Sequence, residues 1–278
     1  MANPIGQNGT HYRTDKFADA IVKLMRPSMK IRNTFSRDYE GNPAFGAVKV
    51  PVRSLDVQVK DYDIKDGVAL SQSATTYLDI LVDKNKAINE LIDGYEAAAV
   101  PDNLVAQRLE SGAYQMAATL EADAITALKT GTASTQANCT TSNVYSNIVK
   151  DIAILAKKGV AKERMYVAID YTTETLLLTD EKYSNTASQI GAELAREGVV
   201  GRINGVNVII QDLGAGCEYI VYGVDWCQAI DAWKSPIGIK DLADGAHVGA
   251  SALQGRAVYK DAVTNTNAVI VKTTSASI

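Results

Sequence analysis

The chain has 278 residues, 46% of them apolar and 22% charged, which is room for one large domain or two modest ones around an ample core. A net charge of -4 gives no support to a protein that coats nucleic acid generally. No apolar run reaches the roughly 18 residues of a membrane helix, and residues 1–10 lack the basic-then-apolar order of a signal peptide.

In chain order, Thr14 is placed to cap a helix on which Phe17, Ile21 and Leu24 share a face, ended by Pro27. Between Thr10 and Arg37, seven basic residues (Arg13, Lys16, Lys23, Arg26, Lys30, Arg32, Arg37) stand against Asp15 and Asp19, so this arm is locally +5. It reads either as a solvated terminal face or as an arm that meets something acidic.

Val48, Val50 and Val52 then alternate with polar residues and Pro51. The phase changes to Leu55, Val57 and Val59, which places a bulge or strong twist near Ser54. Pro51 puts this strand at an edge. Asp61 to Ser73 is a polar tip, and Thr76, Leu78, Ile80 and Val82 form the return strand. The tip is not a calcium loop, because Gly67 at loop position six puts Tyr62 at position one. A two-stranded hairpin of this length is marginal alone in water, so something outside the local fold must hold it; the simplest candidate is another copy of the chain.

Ile88, Leu91, Ile92 and Tyr95 fall on one face of an expected short helix. Pro101 and Asp102 suit the first turn of a longer one, along which Val105, Leu109, Ala113, Met116, Leu120, Ala124 and Leu128 recur. Lys129 and Gly131 mark its end. At about 28 residues it is a rod of roughly 40 Å, and its many alanines, with Ser111 and Gly112, permit close approach. Gly131 to Asn143 reads as a polar linker. Tyr145, Ile148, Ile152 and Leu155 mark a helix stopped by Gly159. Arg164 to Ile169 is a strand, and Asp170 caps the helix holding Leu176 to Leu178. Tyr183 to Gly198 is loop-like. Val199 to Ile210 is a hairpin turning at Asn204-Gly205, and Glu218 to Val224 a strand. Asp225 to Trp233 is a short amphipathic piece. Ala257–Val263 and Ala268–Lys272 flank Thr264–Asn267 as an expected final hairpin.

Chemical motifs are sparse. His11 and His247 sit in no metal-ligand spacing, and GxSxG, HExxH and GxxxxGK[ST] are absent. Gly198, Gly201 and Gly205 read as turn glycines. Cys139, Cys217 and Cys227 form no CxxC pair and read as reduced thiols; Cys217 and Cys227 lack a basic neighbour in sequence, so packing is their default role. Glu121 and Asp123 lie two apart on a helix and face different directions. Nothing here argues for an enzyme, a metal or a cofactor.

The order of elements carries a resemblance. Val48–Val82, Asp102–Lys129, Arg164-Met-Tyr-Val-Ala-Ile-Asp170, the run from Gly198 to Val208 and Ala257–Lys272 together resemble phage major capsid proteins of the Hong Kong 97-type fold, over nearly the full length. The resemblance implies an α+β chain with an N-terminal arm (1–40), an extended β-hairpin loop (41–83), a peripheral domain with a spine helix (84–141), an inserted apical domain (142–250) and peripheral return strands (251–278). It implies a non-enzymatic coat protein that self-assembles as hexamers and pentamers into an icosahedral shell around double-stranded DNA. That shell belongs to the virion and is assembled in the host cytoplasm, with no cofactor and no membrane partner. Intersubunit contacts are then expected at Lys49, Arg53, Asp56, Lys60, Tyr62, Asp63 and Lys65 of the loop. Scaffold or genome contacts are expected at Arg13, Lys16, Lys23, Arg26, Lys30 and Arg32 of the arm. Portal and other virion proteins are further partners. Met1 lies close to the arm, which implies a separate scaffolding protein in place of a cleaved leader. A lysine–asparagine crosslink has the right residue types in Lys60 or Lys65 and Asn265 or Asn267, but tip lysines and turn asparagines are expected anyway for solubility and turn geometry. Two other readings are an encapsulin-type compartment, which would co-purify with a cargo protein, and a soluble α+β enzyme, which would stay a small oligomer.

Overall fold

Residues 30–38, 46–53, 59–72, 75–94, 104–180, 183, 201–242 and 246–274 are described by the computed structural model. The helix expected after Thr14, the side chains Arg13, Lys16, Lys23, Arg26 and Asp56, the phase change at Ser54, and Tyr95, Pro101, Asp102 and Gly198 lie outside them. The strands are β1 (Ala47–Arg53), β2 (Thr75–Leu81), β3 (Lys84–Ile92), β4 (Thr132–Ala133), β5 (Met165–Ile169), β6 (Arg202–Ile203), β7 (Val206–Ile210), β8 (Cys217–Gly223), β9 (Cys227–Asp241), β10 (Ser251–Val263) and β11 (Val269–Thr273). The helices are α1 (Leu104–Leu128), α2 (Val144–Lys157) and α3 (Tyr171–Thr179).

A six-stranded sheet of order β4-β11-β8-β5-β7-β6 forms one half of the molecule. Its central strands are apolar on both phases, as a sheet covered on two faces requires. Met165, Val167, Ile169, Tyr219, Val221 and Ile270 face a core with Val144, Ile148, Ile152 and Leu155 of α2 and Leu177 of α3. The alternate residues Ala168, Ile220, Tyr222, Val269 and Val271 face a second core with Ala124, Ile125 and Leu128 of α1. Local signals set the ends of these elements. The Asp170 carboxylate accepts the Thr172 N–H and caps α3. Gly159 adopts φ +93° beyond α2, where the Val160 N–H reaches the Leu155 carbonyl. Asn204 (φ 50°) and Gly205 (φ 85°) make the tight turn between β6 and β7.

The other half is a three-stranded sheet of order β3-β10-β9 against which α1 packs. A Cβ added at Gly112 would sit 3.0 Å from Leu253 and 3.7 Å from both Ile237 and Ile88, so the helix approaches all three strands there. Opposite Gly255, Pro236 and Ile237 form a bulge that absorbs the missing proline N–H; a Cβ on Gly255 would meet Ile237 at 2.5 Å.

Three expectations are corrected. The segment carrying Ile88, Leu91 and Ile92 is strand β3, not a helix. Ile88, Glu90 and Ile92 share one phase, with Glu90 paired to Arg108 of α1, while Leu91 points the other way and is exposed. Pairing to β10 along nine residues outweighs a weak helical spacing. The expected amphipathic piece at 225–233 is a 3-10 turn, Val224–Trp226, leading into the 15-residue β9. The expected terminal hairpin also separates: β10 joins β3 and β9, while β11 pairs with β8 and β4. The 131–143 linker is partly structured, since Thr132 and Ala133 form β4 beside β11. Behind them the buried Asp151 accepts hydrogen bonds from Ser134, Gln136 and Tyr219.

Candidate assembly interface

β1 and β2 pair in register from Ala47↔Leu81 to Arg53↔Thr75. Val48 faces Ile80 and Val50 faces Leu78 on one side of the ribbon, and Lys49 faces Asp79 on the other. Among the described residues the packed part is the base, where Val50 and Ile80 meet Ile230 of β9, with Val48, Val82 and Ala262 around them. Beyond it the apolar side chains are uncovered. Val59, Ile64 and Leu70 are 99%, 91% and 102% exposed, and Tyr62, Tyr77 and Leu81 are exposed as well. Fully burying one such side chain stabilises by about 1.5–3 kcal/mol, so this concentration makes the ribbon the candidate surface for a macromolecular partner.

The tip is ordered by its own chemistry. Asp63 Oδ1 accepts the N–H groups of Lys65 (2.7 Å) and Asp66 (3.2 Å), and Gly67 at φ +68° returns its N–H to the Asp63 carbonyl. Those backbone donors hold the Asp63 carboxyl below its ordinary value. Lys60 donates to the Ala69 carbonyl at 3.0 Å, and Lys49 lies 3.7 Å from Asp79. Tyr62 and Lys65 are exposed on the same tip, and Arg53 closes β1 opposite Thr75.

The arm's base is less available than its charge implied. Lys30 donates its ammonium to the Ile210 carbonyl. Arg32 is only 2% exposed: its Nε bonds both oxygens of Asp261 and its NH2 group bonds Asp231 at 2.7 Å. Arg32 is therefore corrected from an outward contact to a buried structural cation, because two carboxylates from β9 and β10 face it. Desolvation depresses the charged guanidinium, but Asp261 and Asp231 outweigh it and raise the Arg32 pKa. Desolvation also dominates at Asp261, whose carboxyl is pushed up to about 6 despite Arg32.

Sequence reasoning did not single out Asp231 or Asp261, although Asp261 continues the buried phase of Leu253, Gly255, Ala257 and Tyr259 along β10. A carboxylate in that phase calls for a cation. Glu121 and Asp123 do face different ways. Glu121 Oε1 accepts the N–H groups of Lys30 and Ile31, and its Oε2 that of Arg32, while Asp123 accepts the Tyr259 hydroxyl at 2.6 Å. Burial pushes the thiols of Cys217 and Cys227 up to about 11 and about 12, with Lys129 opposing the first, so both are packing residues. Among the described residues no group of His, Cys, Asp and Glu is arranged to hold a metal ion, and no helix is long and apolar enough to cross a membrane.

No family model and no curated protein matches the sequence. Solved structures do match. One from Mycobacterium phage Che8 aligns with TM-score 0.79 at 18% identity, covering 94% of this chain and 97% of that one. The mature capsid of bacteriophage PhiM1 aligns with TM-score 0.76 at 14% identity, over 96% and 93%. The capsid of cyanophage P-SCSP1u aligns with TM-score 0.76 at 11% identity, over 95% and 93%. The chain has the fold of phage capsid proteins. Near-complete coverage in both directions means that the capsid fold accounts for the hairpin, α1 and both sheets together, in agreement with the Hong Kong 97-type architecture that the order of elements implied.

Proposed function

We propose that this chain is the major capsid protein of a tailed phage or prophage, a structural protein whose activity is association into an icosahedral shell around double-stranded DNA. The observation that carries the reading is the hairpin: a ribbon whose described residues pack at its base, with large apolar side chains exposed beyond it, on a fold that phage capsids share. Lys49 and Arg53 on the ribbon and Lys60, Tyr62, Asp63 and Lys65 at its tip, with Asp56 from outside the described residues, are the proposed contacts, where a neighbouring subunit would bury the apolar groups and the charges would set register and partner choice. Heterologous contacts of this kind close into rings, which suits hexamers and pentamers. In this reading the six-stranded sheet with α2 and α3 is the apical part and α1 with the three-stranded sheet the peripheral part, which departs from the expected bounds 142–250 and 251–278 in giving β9 to the peripheral part and β4 and β11 to the apical one. Arg13, Lys16, Lys23, Arg26 and Lys30 supply the positive charge that meets a scaffolding protein or the packaged DNA. Portal and other virion proteins complete the partners, and the protein resides in the virion after assembly in the host cytoplasm.

Deleting Asp61–Ser73 tests the reading. The expected product is a soluble chain with an unchanged circular dichroism spectrum that forms no particles. Normal-sized particles from that deletion would remove the hairpin's role in assembly.

A further inference from the structure

The two sheets are joined covalently at few places. The 3-10 turn Val224–Trp226 carries β8 into β9, and residues 264–268 carry β10 into β11. These two crossovers lie side by side, with both the N–H and the hydroxyl of Thr264 on the Trp226 carbonyl at 2.8 and 3.2 Å. Paired crossovers between two sheets make a hinge line, and among the described residues α1 is the helix that packs on both sides of it, beside a core in which Cys227 and Ala229 of β9 meet the six-stranded sheet.

One further segment spans that line. On the three-stranded side, Arg32 holds Asp231 and Asp261, and Ser36 exchanges backbone hydrogen bonds with Cys227 and Ala229 at 2.9 Å each. On the six-stranded side, Lys30 bonds the Ile210 carbonyl, and Thr34 shares a 2.8 Å hydrogen bond with the buried Tyr222 hydroxyl. Phe35 packs edge-on against the same tyrosine. Between them, Glu121 of α1 takes three consecutive N–H groups of the segment. Each of these partners lies far along the chain, so the segment's own local structure does not demand its position.

We propose that residues 30–38 form a strap across the hinge, with Arg32 and Glu121 as its two fastenings, and that the strap, more than the crossovers, fixes the angle between the sheets. With the strap fastened the chain holds one shape; with it released the sheets reorient as intact units about Trp226 and Thr264. A carboxylate that loses the guanidinium, or a guanidinium that loses a carboxylate, becomes an uncompensated buried charge, so the strap lets go as a whole.

The strap belongs to the single chain, and its test needs no assembled particle. Spin labels at K86C on β3 and K150C on α2, in a C139S background, report the sheet-to-sheet distance by electron–electron resonance. E121Q keeps the shape of the fastening while removing its charge, and R32M removes the other. Both are expected to broaden or shift the distance distribution. They should also speed amide exchange at Ile31, Arg32 and Ala229 by about tenfold while leaving β5 and β8 protected as in the wild type. An unchanged distance distribution in E121Q overturns the proposal. So does loss of protection throughout β5 and β8 in E121Q, because the segment would then be ordinary core and not a strap; E121Q decides the matter if R32M fails to fold.

Discussion

Arg32, Asp231 and Asp261 illustrate how a basic-looking arm ends in a buried charge cluster. Tyr259 lies under the guanidinium at 5.3 Å, Asp123 sits beyond the Tyr259 hydroxyl with Lys84 at 3.5 Å, and Lys234 and Arg37 reach Asp231 from the solvent side. Asp261 is the member whose titration is displaced into an accessible range. Its carboxyl is raised from 3.8 to about 6, so the folded state binds that proton more tightly than the unfolded chain does. The contribution to stability is thus present in full below 3.8 and lost as pH rises through about 6. Asp231 is held below its ordinary value, so its own contribution is lost only at lower pH. D261N is expected to flatten the pH dependence of the melting temperature across that window; a curve parallel to the wild type contradicts this assignment. Two glycines make a second prediction. A Cβ at Gly131 would lie within 2.6–2.9 Å of Val269, including its carbonyl oxygen, and one at Gly255 within 2.5 Å of Ile237. G131A and G255A are each expected to cost about 1–3 kcal/mol in chemical denaturation. None of these clusters was legible beforehand, because the partners of Arg32 lie about 200 residues away.

Elements with self-contained signals were legible in the sequence. The Asn204-Gly205 turn, the Asp170 cap, the Gly159 stop, the paired strands around 48–52 and 76–80, and the long helix all rest on chemistry within a few residues. Elements whose identity depends on a distant partner were not. Lys84–Ile92 is a strand because β10 pairs with it, and Val269–Thr273 leaves its sequence neighbour because β8 offers an apolar edge. The hairpin shows both kinds of dependence. Its strands announce themselves, while its attachment to Ile230 is long-range. I80A should therefore loosen the ribbon at its base at a cost of about 2–4 kcal/mol. The expected sign is faster tryptic cleavage at Lys60 and Lys65 with little change in the melting of the six-stranded sheet. Equal loss of both would mean that the ribbon is not an independent unit.

At the scale of the whole molecule, two sheets, a helix that touches both and a projecting ribbon form an α+β body with a capsid fold. Among the described residues nothing covers its apolar tip. The candidate surface was half legible: the instability of an isolated ribbon pointed outside the chain, while the exposed Val59, Ile64 and Leu70 required coordinates to recognise. We propose that copies of this chain bind one another through that ribbon. Replacing Tyr62, Ile64 and Leu70 together with serine removes three of the exposed apolar groups of the tip without touching the packed base. That variant is expected to remain folded and to lose particle formation. Electron microscopy of the purified full-length chain beside this triple variant, each alone and with a scaffolding protein, decides the matter. Closed shells of uniform diameter from the wild type, and none from the variant, are the predicted result. A wild-type chain that stays a small oligomer at every concentration both with and without scaffold, or a variant that forms the same shells, would rule out assembly through the ribbon.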